Sequence, residues 1–387
     1  MPVDLAKAAR RECLNDVMPW WFRHGVDDRQ GGVFSMMSDS GERLGTDKFV
    51  WSQARWLWTV SAAYNRLEPR AEFARAAEQT AKFLLRHGRG ADGRWHYRVS
   101  QDGALVEGAI SIYSDFFAVY GLSEYFRLSG DQEALDAATA TFRQICERIA
   151  QPDFVEIAPY RMRPGLRPYG VQMMMVETAN ELSITLGGLA EVDAIAGLAM
   201  ERILTRFLQP DSGLVVEFLE GDFERASAPE GTLIVPGHAI EGMWFLAHFA
   251  RRTNQLDLLE KMTQVTIRHL EYGWDPEFGG ILLNRDLHGQ DPYFPHGDKK
   301  IWWPHSEAIY TLALLRSINP ANVAVQQWLE RVRAWTYAHF PLPDGEWRQR
   351  LDRRGEPITE VIALPVKDPF HLPRALILLS QLSGEDL

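Results

Sequence analysis

Glycine-containing turns recur along the chain at nearly even intervals, and each is followed by a short strand-like alternation of side chains. The sequence holds five such turns, centred on Gly32, Gly93, Gly213, Gly280 and Gly345. They lie about 60 residues apart, except for one double gap in which residues 151–156 form a turn without the glycine. A repeat of this kind constrains the fold strongly, because each unit must bury its apolar faces against its neighbours.

Each of the six repeat units has room for two helices and one short hairpin. Helical periodicity is visible over residues 3–24, 48–67, 71–87, 111–129 and 131–150. We therefore predict an all-α fold in which residues 1–387 form a single-domain (α/α)6 barrel of about twelve helices, with short β-hairpins between helix pairs. An open solenoid is the alternative, but six units is the number that closes into a ring. The hairpins, and a longer loop at 225–234, would then lie where loops on a rigid scaffold carry functional sites.

Charge and composition exclude several classes of partner. The net charge is −11 and the isoelectric point is near 5.5, which argues against nucleic acid and against an anionic membrane surface. No run of 18 apolar residues is present, and residues 1–22 lack the apolar core of a signal peptide. Two cysteines, Cys13 and Cys146, make no disulfide framework. We expect a soluble, cytoplasmic protein.

Three of the eleven histidines stand at the start of predicted helices, and they are His238, His305 and His371. In a closed ring these loop-to-helix junctions converge at one end. His248 lies in an apolar run and is expected in the core. The other seven lie in polar or turn contexts and are expected at the surface: His24, His87, His96, His269, His288, His296 and His339.

The segment around His238 is the strongest candidate for chemistry. Pro236-Gly237 breaks the chain before a helix, and Glu241 shares a helical face with His238 three residues earlier. Glu307 follows His305 at a similar junction. Two or three histidines and two carboxylates in one pocket are suited to acid/base catalysis. A purely structural, helix-capping role for His238 is the alternative.

Other chemistries have weaker support in the sequence. A metal site would need ligands that converge in space, since there is no HExxH pattern and no cysteine set. A glycosidase would use a carboxylate pair such as Asp115 and Glu307, but the histidines would then have no role. Neither a dinucleotide fingerprint, a P-loop nor a nucleophile elbow is present.

Five segments in order resemble the N-acylglucosamine 2-epimerase family, which also contains cellobiose 2-epimerases and aldose–ketose isomerases acting on mannose. The segments are Thr46–Trp58, Ile112–Asp115, Pro236–Glu241, Trp302–Glu307 and Phe370–Ala375. The resemblance extends over nearly the whole chain. It implies an (α/α)6 barrel, in agreement with the repeat count.

The resemblance also implies a mechanism and a set of site residues. Family members open the sugar ring, remove the C2 proton and return a proton to the opposite face, using two histidines that match His238 and His371. Arg55 matches a substrate-binding arginine that would hold the enolate oxygen. The remaining residues implied to bind or orient the sugar are Glu241, Glu307, Tyr113, Trp302 and His305. The resemblance implies no metal or redox cofactor, a homodimer, and in some members a response to ATP or another nucleotide as effector.

The subfamily signals point in two directions. Met174 stands where isomerases and cellobiose epimerases have a further histidine, and His305 also fits the acylglucosamine branch. Thr232, Val235 and Val366 depart from that branch. The main hypothesis is a 2-epimerase interconverting N-acetylglucosamine and N-acetylmannosamine. The alternatives are an isomerase or 2-epimerase of free sugars such as mannose, glucose and fructose, and a non-catalytic protein-binding role.

Overall fold

Helices make up most of the computed structural model, which describes residues 4–158 and 161–382. In chain order they are α1 (Leu5–Glu12), α2 (Met18–His24), α3 (Val50–Ala62), α4 (Ala71–His87), α5 (Ile112–Ser129), α6 (Gln132–Ile149), α7 (Tyr169–Thr185), α8 (Ala190–Arg202), α9 (Pro236–Arg252), α10 (Leu259–Gly273), α11 (Trp302–Ile318), α12 (Val323–His339) and α13 (His371–Leu379). A π-helical turn, Cys13–Val17, joins α1 and α2 into one continuous helix. The described residues therefore form twelve helical rods.

The rods form two concentric layers. The inner layer contains α3, α5, α7, α9, α11 and α13, and each packs against the next, with α13 returning to α3. The outer layer contains α1–α2, α4, α6, α8, α10 and α12. Inner helices such as α5 and α11 are apolar on nearly all faces because they are covered on both sides, whereas α4 and α6 have one apolar stripe. The predicted (α/α)6 barrel is confirmed.

Short strands fill the connections that lead into the inner helices. They are β1 (Lys48–Phe49), β2 (Arg98–Val99), β3 (Leu105–Glu107), β4 (Leu166–Pro168), β5 (Phe218–Glu220), β6 (Glu224–Arg225), β7 (Leu233–Ile234), β8 (Arg285–Asp286), β9 (Lys300–Ile301) and β10 (Arg350–Leu351). They pair antiparallel in the orders β1-β2-β3, β4-β5-β6, β7-β8 and β9-β10. These pairs link neighbouring units at one end of the barrel. The predicted 225–234 loop contains a 3-10 turn and β7.

Each repeat glycine lies in a hairpin that closes directly after an outer helix. The closing bridges are Val26 with Val33, Arg89 with Trp95, Leu208 with Val215, Trp274 with Ile281, and Pro341 with Trp347. Gly280 shows why glycine is needed, since its φ is 80° and a Cβ there would lie 2.7 Å from the ring of Trp335. The expectation of five glycine hairpins is confirmed.

Four of these hairpins are held by the same device, a buried side chain that accepts a hydrogen bond from the backbone just beyond the glycine. The pairs are Val33 N–H to Gln53, Trp95 N–H to Asp115, Val215 N–H to His269 and Ile281 N–H to His305. The prediction that His269 lies at the surface is wrong: it is fully buried, and burial lowers its pKa to about 4. Asp115 also accepts from Arg148 at 2.6 Å, so this carboxylate belongs to the scaffold.

No helix in the described part of the chain is long and apolar enough to cross a membrane. That residues 1–387 form one domain stays a prediction. Residues 1–3 and 383–387 lie outside the described residues. The first residue of the helix predicted over 3–24 therefore also lies outside them.

Candidate active site

A cavity of about 340 Å³ opens at the N-terminal ends of the inner helices. The sequence-predicted residues that line it are Arg55, Tyr113, His238, Glu241, Trp302 and His371. Glu307 lies directly behind the lining, where it is hydrogen-bonded to His371. The ends of α3, α5, α9, α11 and α13 thus bring together residues that are up to about 320 positions apart in sequence.

His238 stands in the first turn of α9, with one edge on the cavity and the other on a buried carboxylate. Its Nδ1 donates to the two oxygens of Glu217, at 3.2 and 3.1 Å. Burial opposes protonation of the ring, but the charge and hydrogen bond of Glu217 outweigh it, so the pKa of His238 is raised. Anchoring of Nδ1 leaves Nε2 for proton exchange with a ligand in the cavity.

Glu217 is a site residue that the sequence analysis missed. It lies four positions after the repeat glycine Gly213, just before β5. The equivalent positions after Gly93 and Gly280 are Tyr97 and Asn284, and both also line the cavity. The fourth residue after the repeat glycine lines the cavity in three of the five units, and this position was the signal that could have identified Glu217.

His371 begins α13 and is held from two sides. Its backbone N–H donates to Asp368 at 2.7 Å, and its Nδ1 donates to Glu307 at 2.8 Å. The second oxygen of Glu307 accepts from the indole of Trp244 at 2.8 Å. Like His238, His371 therefore has a carboxylate on Nδ1 and leaves Nε2 for the cavity.

Arg374, one turn into α13, joins the two predicted carboxylates. Its guanidinium donates to Glu307 at 2.7 Å and also to Glu241. Burial alone would raise the pKa of Glu307, but the charge of Arg374 and the hydrogen bond from His371 lower it. Glu307 is thus an anion that orients His371, and Glu241 is tied to the same cation. In the sequence, Arg374 lies within the family-like segment Phe370–Ala375, but no role is predicted for it from the sequence.

Trp303 lies between the two histidines. Its ring centroid is 5.2 Å from that of His238 and 5.4 Å from that of His371, at interplanar angles of 30° and 32°. A Cβ on Gly237 would lie 2.7 Å from this indole, so only glycine lets α9 approach it. The two imidazoles are therefore held against one rigid surface.

Arg55 projects from α3 into the cavity and is fixed by Asp368 at 2.8 Å. Its guanidinium also lies 4.1 Å from the centroid of Phe117. Because Asp368 also binds the backbone of His371, one carboxylate sets both the arginine and the start of α13. Arg55 is placed to donate to an oxygen of a bound ligand.

Tyr113 and Trp302 complete the predicted lining. Burial raises the pKa of Tyr113 well above its usual value, with the charges of Glu156 and Glu217 adding to the effect, so its hydroxyl stays protonated. The ring of Trp302 lies 6.5 Å from that of His371, nearly perpendicular to it. Both side chains can contact a ligand directly.

His305 does not join the site. Its Nε2 accepts from the backbone of Ile281 at 2.9 Å and its Nδ1 donates to the carbonyl of Ile301 at 2.7 Å, so both ring nitrogens are used by the scaffold. Burial lowers its pKa to about 3, and its ring stacks on Trp335 of the outer layer. The geometry therefore corrects the prediction that His305 binds substrate.

Within residues 4–158 and 161–382, one group of side chains has the spacing of metal ligands. Single ligand atoms of Glu241, Glu307 and His371 lie within 4.8 Å of one another. The guanidinium of Arg374 already donates to both carboxylates and supplies the positive charge that a metal would bring. The donor set fits an internal ion-pair network better than a metal centre.

The fold and the cavity define a class of protein, a helical barrel whose end cavity is lined by two histidines that are each anchored by a carboxylate. A family model described as N-acylglucosamine 2-epimerase (GlcNAc 2-epimerase) matches residues 32–375, and the chain belongs to this family. It is 28% identical to the N-acylglucosamine 2-epimerase of Bos taurus over 95% of this chain and 89% of that protein.

A second relative agrees with that assignment, and a solved structure agrees with the fold. The N-acylglucosamine 2-epimerase of Mus musculus is 28% identical over 96% of this chain and 90% of its own length. The solved cellobiose 2-epimerase of Bacillus thermoamylovorans superposes with a TM-score of 0.83, covering 97% of this chain and 98% of that chain, at 20% identity. The structural likeness supports the barrel fold.

Proposed function

We propose that this protein is an isomerase that interconverts N-acetyl-D-glucosamine and N-acetyl-D-mannosamine by moving the proton on C2 of the ring-opened sugar. The observation that carries the proposal is the pair of histidines on one cavity, each with Nδ1 held by a carboxylate. Inversion at a carbon needs a base on one face and an acid on the other, and two imidazoles meet both needs near neutral pH. The two N-acylglucosamine 2-epimerase relatives support the substrate.

In the proposed reaction one histidine takes the C2 proton through Nε2, and an enolate forms as the electrons move to the C1 oxygen. Arg55 would donate to that oxygen as its charge grows. The positive ends of the inner-helix dipoles face the same cavity and favour the same charge. The second histidine then gives its proton to C2 from the opposite face. Glu217 and Glu307 stabilise whichever imidazole is protonated.

An aldose–ketose isomerase is the other outcome of the same enolate, if the proton returns to C1 instead of C2. A nitrogen on C2 disfavours that outcome, because proton return to C1 of a 2-acylamido sugar does not give a simple ketose. The proposal includes no metal or redox cofactor, with Arg374 supplying the charge beneath Glu241 and Glu307. A cytoplasmic homodimer, with a nucleotide as effector, is proposed from the family resemblance.

Proton NMR in D2O tests the reaction with three sugars: N-acetylmannosamine, N-acetylglucosamine and mannose. We expect deuterium at C2 and appearance of the other N-acetyl epimer, and interconversion of the epimers should be lost in His238→Asn and in His371→Asn. The exposed His288 offers a matched control, and His288→Asn should retain activity. A ketose formed from mannose, with deuterium at C1 and no turnover of the N-acetyl sugars, would contradict the proposal.

A further inference from the structure

A second cavity lies at the opposite end of the barrel from the active site, and it is here called the far cavity. Its volume is about 360 Å³. It is formed at the C-terminal ends of α5, α7 and α9, together with the π-helical turn Ala63–Leu67 that follows α3. Four guanidinium groups from three segments of the chain line it. Its charged and titratable lining residues are Arg66, Arg127, Glu181, His248, Arg251 and Arg252.

Two of the arginines share two buried glutamates. Arg66 donates to Glu124 at 2.6 Å and lies 3.7 Å from Glu181. Arg127 donates to the same two carboxylates. Burial alone would raise the pKa of Glu124, but the charges of Arg66 and Arg127 lower it to about 2, so this glutamate is ionised at neutral pH. The two arginines and the two glutamates therefore balance in charge.

The other two arginines are adjacent in α9 but differ in their partners. Arg252 donates to the two oxygens of Asp193 at 3.0 and 2.6 Å. Arg251 is exposed, and among the residues that the structure describes its side chain has no hydrogen-bond or ion-pair partner. The nearby Glu177 does not supply the missing charge, because burial and the charge of Glu181 raise its pKa to about 8. The far cavity thus has one guanidinium more than its carboxylates neutralise.

His248 indicates the sign of the electrostatic potential in the far cavity. Burial and the charges of Arg66, Arg251 and Arg374 lower its pKa to about 3, so the ring is neutral in a positive potential. Its Nε2 is hydrogen-bonded to the hydroxyl of Tyr310 at 2.7 Å. With Tyr310 as the donor, the ring proton lies on Nδ1, for which the described residues provide no partner. A donor is therefore left for a ligand.

We infer that the far cavity is a binding site for a small oxyanion, such as a phosphate group, held by the guanidinium of Arg251 and the Nδ1–H of His248. The two residues are three positions apart in α9 and so lie on one face of the helix. A guanidinium binds phosphate and carboxylate oxygens through two parallel hydrogen bonds. The unpaired positive charge and the free donor are the two features that an oxyanion needs.

The lining of the far cavity narrows the kind of ligand. Its volume is in the range of pockets that hold small organic molecules, so the oxyanion can be a free ion or a group on a small metabolite. Apart from His248, the described lining residues have no aromatic ring on which a nucleotide base could stack. Among the described residues, no lining residue is shared with the active-site cavity. Oxyanion binding can therefore be tested without changing the active-site histidines.

The experiment is a titration with inorganic phosphate at constant ionic strength and neutral pH, followed by 15N NMR of labelled histidine. We expect a saturable shift of the His248 resonances, while those of His238 stay in place. Arg251→Gln should weaken phosphate binding at least about tenfold, or ~1.4 kcal/mol, through loss of a charge-assisted hydrogen bond. The matched control is Arg316→Gln, because Arg316 lies in the last turn of α11 at the same end of the barrel but does not line the far cavity. It should bind phosphate like the wild type.

Parallel titrations with mannose 6-phosphate and with mannose distinguish the sources of the phosphate group. Tighter binding of mannose 6-phosphate than of inorganic phosphate assigns the site to a phosphorylated metabolite, and equal or weaker binding assigns it to the free ion; both outcomes support an oxyanion site. A His248 signal that neither phosphate compound shifts would overturn it, and so would a shift at His238 instead of His248. A shift of His248 with mannose alone, or an equal loss of affinity in Arg251→Gln and Arg316→Gln, would also overturn it.

Discussion

Replacing Glu217 with glutamine removes one negative charge beside His238 while keeping the shape of the side chain. In the native site both Glu217 oxygens lie within 3.2 Å of Nδ1 of His238. The amide oxygen of glutamine can still accept from Nδ1, so ring orientation and tautomer are retained. The variant therefore isolates the electrostatic effect of the carboxylate on one histidine.

The size of the expected pKa change follows from the distance between Nδ1 of His238 and the Glu217 carboxylate, and from how exposed His238 is to water. An opposite charge at this range is worth about 1 kcal/mol in water and about 4 kcal/mol at the effective dielectric constant near a protein surface. His238 has a side chain 32% exposed, so the lower half of that range applies. We expect Glu217→Gln to lower the pKa of His238 by about one to two units, at about 1.4 kcal/mol per unit.

The assay has two readouts, the pH dependence of kcat/KM and the 15N NMR titration of labelled histidine. A raised pKa extends the range of pH over which His238 is protonated, and activity that needs this proton is lost as pH rises through that pKa. In Glu217→Gln the fall of kcat/KM on the basic side of the pH profile, here called the basic limb, should move to lower pH. The pH midpoint of the His238 titration in the 15N NMR spectra should move to lower pH together with it.

Glu156→Gln is the matched control. Glu156 is another buried glutamate of the cavity lining, but its partners are the backbone N–H groups of Ile112 and Ala158. It should leave the His238 midpoint in place. A Glu217→Gln variant whose His238 midpoint and basic limb equal those of the wild type would refute the reasoning, as would an equal shift in Glu156→Gln.

Three further predictions concern stability. Arg374→Met leaves the buried carboxylates of Glu241 and Glu307 without their cation. It should lower the free energy of unfolding, measured in urea, by about 3–5 kcal/mol. A loss below ~1 kcal/mol would contradict the stabilising role of this ion-pair network. His305→Ala removes the hydrogen-bond acceptor of the buried Ile281 N–H and should lower the free energy of unfolding by about 1–3 kcal/mol in the same assay. At temperatures where the variant is folded, its kcat should stay within about twofold of the wild-type value. The pKa values of His269 and His305, about 4 and about 3, are depressed on folding, so the stability they provide is present above pH ~6.5 and is lost as pH falls toward 4. Urea unfolding across this range should show that loss, and His305→Ala should remove part of the slope.

The first turns of the inner helices show how far sequence could locate the site. His238 and His305 both stand just after a loop and just inside a helix, and local sequence gives no reason to treat them differently. Residues in a helix are turned about 100° from one another, and His305 lies two positions beyond Trp303, or about 200° round the axis. Trp303 faces the cavity, so His305 faces the outer layer.

Glu217 and Arg374 show a second limit. Glu217 stands in a hairpin of its own repeat unit, and nothing in the neighbouring residues marks it as the partner of a histidine 21 positions away. Arg374 meets Glu241 across 133 positions of the chain. Such pairs form only when the ring closes, because closure brings the starts of all the inner helices to one place.

The sequence by itself determined the repeat, the helices and hairpins, the barrel and the family, because periodicity and glycine turns act over short distances along the chain. It also identified His238 and His371 through the family resemblance. Only the tertiary structure decided that Glu217 and Glu307 hold the two imidazoles, that Arg374 links the carboxylates, and that His305 and Asp115 serve the scaffold. The physical reason is that the direction and partner of a side chain depend on closure of the ring, which no local pattern records.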